Sequence, residues 1–271
     1  MVLSRRAFLA GLGAVTLAGC SRVPEPSASP TGAVDAQLEA AIEVIKGQNA
    51  LFGVALKDLR GGTVWGLAPD YASQSASMAK PMIVAMALRK ARLDGTTLSD
   101  EQLEDCRKAI TISDNDAADR LWAFAGTSAA YDELAAALGL AATHSDPARD
   151  FWSWTWTTPT DQLKLLETLL GPGADAITSA EAAFILDLMG NVADDQAWGV
   201  GTVRSDSVAV ELKNGWVQFE STDNLWAVNS IGHVTGGDCE YLLAVMNRTP
   251  DFETGRDTCT AVGKWVYEIL T

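Results

Sequence analysis

Ser77-Met78-Ala79-Lys80-Pro81-Met82-Ile83-Val84-Ala85-Met86-Ala87-Leu88 sets the reading of the whole chain. Apolar residues occupy nearly the full circumference of this segment, so it is predicted to be a helix buried on every side, between two lobes. At its start a hydroxyl and an amine stand three residues apart, on one helical face. A serine becomes a nucleophile only when a base takes its proton, and Lys80 is placed to act as that base. Enclosure by Met78, Met82, Ile83 and Met86 would strip water from the ammonium form, lower the lysine pKa and make a neutral amine accessible. The chain holds two histidines, His144 and His233, and neither sits in a local pattern suggesting a Ser-His-Asp triad. Taken alone, Ser-x-x-Lys also describes an ordinary capped helix with a solvated lysine.

Two further triplets follow in order. Ser113-Asp114-Asn115 precedes a predicted helix, and Lys213-Asn214-Gly215 lies in a β-rich stretch over 208–219. Each has an ordinary reading as well. Ser113 and Asn115 are favoured helix caps, and Asn-Gly is a favoured turn dipeptide.

The N-terminus reads as an export signal. Ser4-Arg5-Arg6-Ala7-Phe8-Leu9 resembles a twin-arginine signal, and Leu17-Ala18-Gly19-Cys20 resembles a bacterial lipobox. Residues 1–19 are therefore predicted to be removed and Cys20 lipidated, leaving the protein exported and anchored to the outer face of the cytoplasmic membrane in the cell envelope. The apolar run is shorter than the roughly 20 residues that a transmembrane helix needs. Residues 20–33, with Pro24, Pro26 and Pro30 among serines and small residues, read as a flexible tether. No second composition shift follows, so 34–271 is predicted to be one domain.

The formal net charge is −15, and it becomes more negative when Arg5 and Arg6 leave with the signal. Such acidity argues against a nucleic-acid partner and against polybasic attraction to anionic lipid, so membrane association is assigned to the Cys20 anchor. Beyond Cys20 the cysteines are Cys106, Cys239 and Cys259. That odd number leaves at least one free thiol, although an exported location permits a disulfide. No metal-ligand spacing is present, and neither metal nor cofactor is expected. The protein is expected to be a monomer.

Apolar spacing at Leu38, Ala41, Ile42 and Ile45 predicts a packing helix over 36–46. Segments 51–59 and 63–67, joined by Arg60-Gly61-Gly62, predict a hairpin, because glycine tolerates positive φ. After the helix near Ser77, helices are predicted over 98–109, 116–125, 131–138, 160–170 and 179–188. Strands over 208–219, 224–231 and 239–246 and a last helix over 258–270 complete the chain. The predicted class is α+β: a five-stranded antiparallel sheet drawn from both chain ends, flanked by the first and last helices, with an all-helical lobe inserted over about 70–205. The site would lie where the lobes meet.

Ser-x-x-Lys, Ser-Asp-Asn and a strand-borne Lys-x-Gly, in this order, resemble the class A β-lactamase and D-alanyl-D-alanine peptidase superfamily of penicillin-recognising serine hydrolases. The resemblance covers 34–271. It is supported by Ala109-Ile110-Thr111-Ile112, Asp116-Ala117-Ala118 and Thr157-Thr158-Pro159. It implies Ser77 as the acylated nucleophile, Lys80 as its base, Ser113 as proton relay to the leaving nitrogen, and Asn115 as a holder of substrate amide and Lys80. It also implies that Lys213 directs positive charge toward a substrate carboxylate and Ser113, and that Asn214, Gly215 and Trp216 line the binding strand. The amides of Ser77 and Trp216 would form an oxyanion hole, one from a helix start and one from an edge strand.

The chain departs from that family in three places. Asn214 stands where a threonine or serine is usual, which would alter carboxylate recognition. The segment between Ser77 and Ser113 is short for a class A enzyme. No Glu-x-x-Leu-Asn occurs between Leu140 and Thr157, so the glutamate that activates the deacylating water is missing, with Asp146 and Asp150 as candidate substitutes. Trp152, Trp154 and Trp156 are expected to pack that loop on the core. The leading expectation is a serine acyl-enzyme hydrolase acting on a β-lactam or a D-Ala-D-Ala type cell-wall peptide amide, with slow deacylation. The alternatives are an inert cell-envelope lipoprotein using the fold as a binding module, and a serine esterase using the same Ser-Lys pair.

Overall fold

Both ends of the described chain build one antiparallel sheet, with a helical lobe inserted between them. The computed structural model describes residues 51–218 and 224–271. The expected helix over 36–46, the export signal, the tether with Cys20, and Phe219 lie outside the described residues. Strands β1 (Leu51–Asp58) and β2 (Val64–Leu67) form the expected hairpin. A short pair, β3 (Ser73–Gln74) with β4 (Trp156–Thr157), ties the chain before Ser77 to the far side of the lobe. β5 (Val208–Gln218), β6 (Trp226–Gly236) and β7 (Cys239–Thr249) complete the main sheet in the order β2-β1-β7-β6-β5. Helices α1 (Lys80–Leu93), α2 (Asp100–Thr111), α3 (Asn115–Ala125), α4 (Thr127–Ala137), α5 (Pro159–Leu170) and α6 (Ser179–Gly190) form the lobe, and α7 (Phe252–Leu270) follows the sheet.

Side-chain alternation explains why β7 is the central strand. Leu242, Ala244 and Met246 join the core beneath the helical lobe, together with Ala55, Ile231 and the buried residues of α1. Leu243 and Val245 point the other way and pack with Val54, Leu56, Leu212 and with Cys259, Val262 and Val266 of α7. In α1 every residue from Lys80 to Ala87 is buried, as its all-round apolar sequence requires. Four of the lobe's helices start at side-chain caps. Ser99 with Gln102, and Thr178 with Glu181, form capping boxes for α2 and α6, while Asp114 and Thr158 cap α3 and α5.

Four elements differ from the sequence expectation. Ser77 precedes the helix proper: it sits in a 3₁₀ turn, Ala76–Ala79, from which α1 departs at Lys80. α4 begins at Thr127, and β6 runs on to Gly236. α7 begins at Phe252, capped by Asp251, ahead of the expected start at Thr258. A side chain at Gly255 would put its Cβ 2.5 Å from Val228 Cγ2, so glycine lets the helix lie directly on β6. Cys106, Cys239 and Cys259 are all buried free thiols. No helix among the described residues is long and apolar enough to cross a membrane.

Ile83 is fully buried at the centre of α1, where little room exists for collapse around a cavity. Ile83→Ala is expected to cost about 2–5 kcal/mol of unfolding free energy, measured as a lower urea midpoint at unchanged slope. An unchanged midpoint would contradict the placement of α1 at the core.

Candidate active site

The turn bearing Ser77 is held from three sides. Ser75 N–H donates to Thr155 O at 2.8 Å, and the Ser75 and Thr155 hydroxyls are also bonded. Asn229 of β6 donates through Nδ2 to Gln74 O at 2.9 Å. Ala76 takes a positive φ of 49°, a conformation that costs free energy in a non-glycine residue and that the surrounding bonds sustain. The edge strand β5 meets this turn at Gly215. A Cβ on Gly215 would lie 2.6 Å from both Met78 N and Ser75 O, so strand and turn touch backbone to backbone.

The three motifs converge on this contact. Asp114 accepts from Ala117 N–H at 2.7 Å and caps α3, which leaves its neighbours Ser113 and Asn115 free for other work. Ser113 itself has a positive φ of 58°. Lys80 Nζ donates to Ser113 O at 2.7 Å, to Asn115 Oδ1 at 2.9 Å and to Ser113 Oγ at 3.3 Å. Lys213 Nζ donates to the same Ser113 Oγ at 3.0 Å and to Asn214 O at 2.9 Å. One hydroxyl therefore bridges two lysines from different lobes. Ser77 opens with Ser113 and Asn115 onto a common cleft of about 210 Å³. Ser77 and Lys80 are not hydrogen-bonded to each other, because the amine is drawn to the Ser113 and Asn115 acceptors.

Burial controls the charge of both lysines. Lys80 has its pKa lowered from 10.5 to about 7, chiefly by desolvation, while the carboxylates of Asp114 and Asp119 oppose the shift. Lys213 is held well below the ordinary lysine range, first by burial and then by repulsion from Lys80.

Some expected residues are not brought to the cleft. Asn214 is buried and turns its amide away, donating to Gln196 O at 2.7 Å and Trp198 O at 3.1 Å, so its side chain anchors β5 to the preceding loop and does not face the cleft. Asp150 accepts from Ser128 N and Oγ at 3.1 and 2.7 Å. Asp146 bonds within its own loop, to Ala148 N and Arg149. Neither lines the cleft. His233 is engaged with Glu211 on the sheet, and His144 stacks on Trp156.

Asp119 and Trp152 line the cleft in a way that was not read from the sequence. Asp119 of α3 accepts Trp152 Nε1 at 2.6 Å, and the Trp152 ring centroid lies 4.8 Å from Lys80 Nζ. The position of Asp119, one helical turn after Asn115, is the signal that places it on the same face. Trp152 is buried within the core of the helical lobe, as expected of a packing residue, and its ring also faces Lys80. Trp216, half-buried at the rim, clusters with Trp198 and Phe252 at centroid distances of 5.9 and 5.5 Å.

The sequence pattern of the Beta-lactamase enzyme family matches residues 94–270, and the chain belongs to that family. The matched stretch contains Ser113-Asp114-Asn115 and Lys213-Asn214-Gly215 and begins beyond Ser77 and Lys80. Among solved structures, the fold is similar to a β-lactamase from Sphaerobacter thermophilus DSM 20745 at 17% identity and TM-score 0.73, covering 86% of this chain and 96% of that one. It is also similar to a class A β-lactamase representative from Bacteroides cellulosilyticus DSM 14838, at 18% identity and TM-score 0.73 over 90% of this chain and 99% of that one. A mutant of PBP-A, in an acyl-enzyme complex with penicillin G, shares 19% identity and TM-score 0.72 over 86% of this chain and 95% of that one. No curated protein matches the chain. At these identities the structures establish the fold, which is that of class A β-lactamases.

The backbone contact at Gly215 leaves no space for a methyl group. Gly215→Ala is expected to push β5 off the turn and destabilise the protein by about 1–3 kcal/mol, read as a lower melting temperature. A variant as stable as the parent would show that the turn and strand are not in contact.

Proposed function

We propose that the protein is a serine acyl-enzyme hydrolase in which Ser77 attacks the amide carbonyl of a β-lactam or of a D-Ala-D-Ala type cell-wall peptide. The observation that carries this reading is the Ser113 hydroxyl held at 3.3 Å from Lys80 Nζ and 3.0 Å from Lys213 Nζ, in the cleft that holds Ser77. Lys80 in its neutral form takes the Ser77 proton as the oxygen adds to the carbonyl carbon. The developing oxyanion is received by the amides of Ser77 and Trp216, brought close by the Gly215 contact. The C–N bond then breaks as Ser113 gives its proton to the leaving nitrogen and recovers one from Lys80. Lys213 attracts a substrate carboxylate, whose negative charge favours the ammonium form of that buried lysine. With the Asn214 amide turned away, Lys213 and Ser113 carry the carboxylate recognition, and Asn115 holds the substrate amide.

Acylation is better supported than turnover. The loop over 141–157 presents the Trp152 ring to Lys80, where a water-activating carboxylate would otherwise serve deacylation, so the acyl group is expected to persist. Residues 1–19 are read as a lipoprotein signal and residues 20–33 as a tether, with the mature monomer held in the cell envelope through lipidated Cys20.

A fluorescent penicillin is expected to label the wild-type protein stoichiometrically at Ser77, with Ser77→Ala unlabelled and Lys80→Ala slower by about 10²–10⁴-fold. Only the neutral amine accepts a proton, so the acylation rate should be low on the acid side, rise as pH passes through about 7, and level off above. Rapid nitrocefin turnover would contradict slow deacylation, and a complete lack of labelling would favour a binding module built on the same fold.

A further inference from the structure

Acylation as proposed uses no carboxylate of the protein. Asp119 is the carboxylate that lines the cleft with Ser77, Ser113 and Asn115, one turn along α3 from Asn115. Its Oδ1 is fixed by the Trp152 Nε1 donor at 2.6 Å, and that indole ring is itself seated against Lys80 Nζ. Both components are therefore anchored to the base of the proposed nucleophile, and the charge of Asp119 reaches Lys80. The second carboxylate oxygen has no protein donor among the described residues. Asp146 and Asp150, the loop acids, are committed to other donors.

We propose that Asp119 is the general base that releases the acyl group from Ser77, doing from α3 what a loop residue does in class A enzymes. The inference rests on the reading of Ser77 as the acylated nucleophile. A water held by the free Asp119 oxygen gives it a proton and forms the new C–O bond to the acyl carbonyl carbon. The tetrahedral intermediate collapses with cleavage of the bond to Ser77 Oγ, and the proton held by Asp119 is returned to that oxygen, leaving a carboxylic acid product and free enzyme. Trp152 is a positioning residue in this scheme. It fixes one oxygen of the carboxylate and, by covering Lys80, keeps the water on the Asp119 side of the cleft.

The test is the lifetime of the penicillin G adduct on the full chain, followed by intact mass after excess drug is removed. Asp119→Asn keeps an oxygen for Trp152 Nε1 but cannot accept a proton, and its adduct is expected to decay about 10²-fold more slowly than that of the wild type. Asp119→Ala should be equally slow, and added formate, a small carboxylate able to occupy the vacated space, should accelerate its release. A merely structural aspartate would show no such rescue. Equal adduct lifetimes in wild type and Asp119→Asn, or no response of Asp119→Ala to formate, overturn the role of Asp119 alone. Absence of any Ser77 adduct on the wild-type protein overturns the acylation reading and this proposal with it.

Discussion

The burial of two lysines around one hydroxyl constrains the rest of the structure. A lone ammonium withdrawn from water is costly, and it survives only where its donors are satisfied or its proton is shed. Lys80 does some of each: three oxygen acceptors surround Nζ, and desolvation brings its pKa to about 7. Those acceptors come from the segment that opens α3, so α1 and α3 must pack closely. α1 can be buried because it carries almost no other polar group along its first turns. Lys213 reaches the same hydroxyl from the sheet, which couples the position of β5 to that of the helical lobe.

That coupling explains the local strain around the cleft. Ala76 and Ser113 both adopt left-handed backbone conformations, and each is adjacent to a residue whose atoms must point into the site. Strain of this kind, of order 1–3 kcal/mol per residue, persists only where neighbours over-determine the conformation. Here the determinants are visible: Thr155 and Asn229 hold the chain entering the Ser77 turn, while the Asp114 cap holds the chain leaving Ser113. The β3–β4 pair adds a further tie across the lobe. Rigidity is thus supplied by residues that take no part in the proposed chemistry.

Much of this was legible in the sequence because it is written locally. The all-round apolar run marks α1, and Ser113-Asp114-Asn115 marks both a helix start and a polar constellation. The five strands and their placement outside the helical block also follow from local patterns. What escaped depends on partners distant in the chain. The side chain of Asn214 turns to the carbonyls of Gln196 and Trp198, and no strand pattern reveals that two acceptors wait on that side. The start of α7 at Phe252 also escaped, and there Gly255 fits because Val228 occupies the space a side chain would need. Trp152 and Asp119 are likewise unremarkable singly, and only the fold brings the indole N–H to the carboxylate.

Asn214 and Trp152 each fix part of the surroundings of the cleft. The Asn214 amide donates to two loop carbonyls and so anchors β5 to the preceding loop. The indole against Lys80 supplies a cation–π contact of about 0.5–2 kcal/mol to whatever ammonium fraction exists. Both contacts tie the elements around Ser77 and Lys80 to neighbouring loops. The lysines proposed to serve acylation are held by more than one bond each, whereas the carboxylate proposed for release is fixed through one oxygen by Trp152.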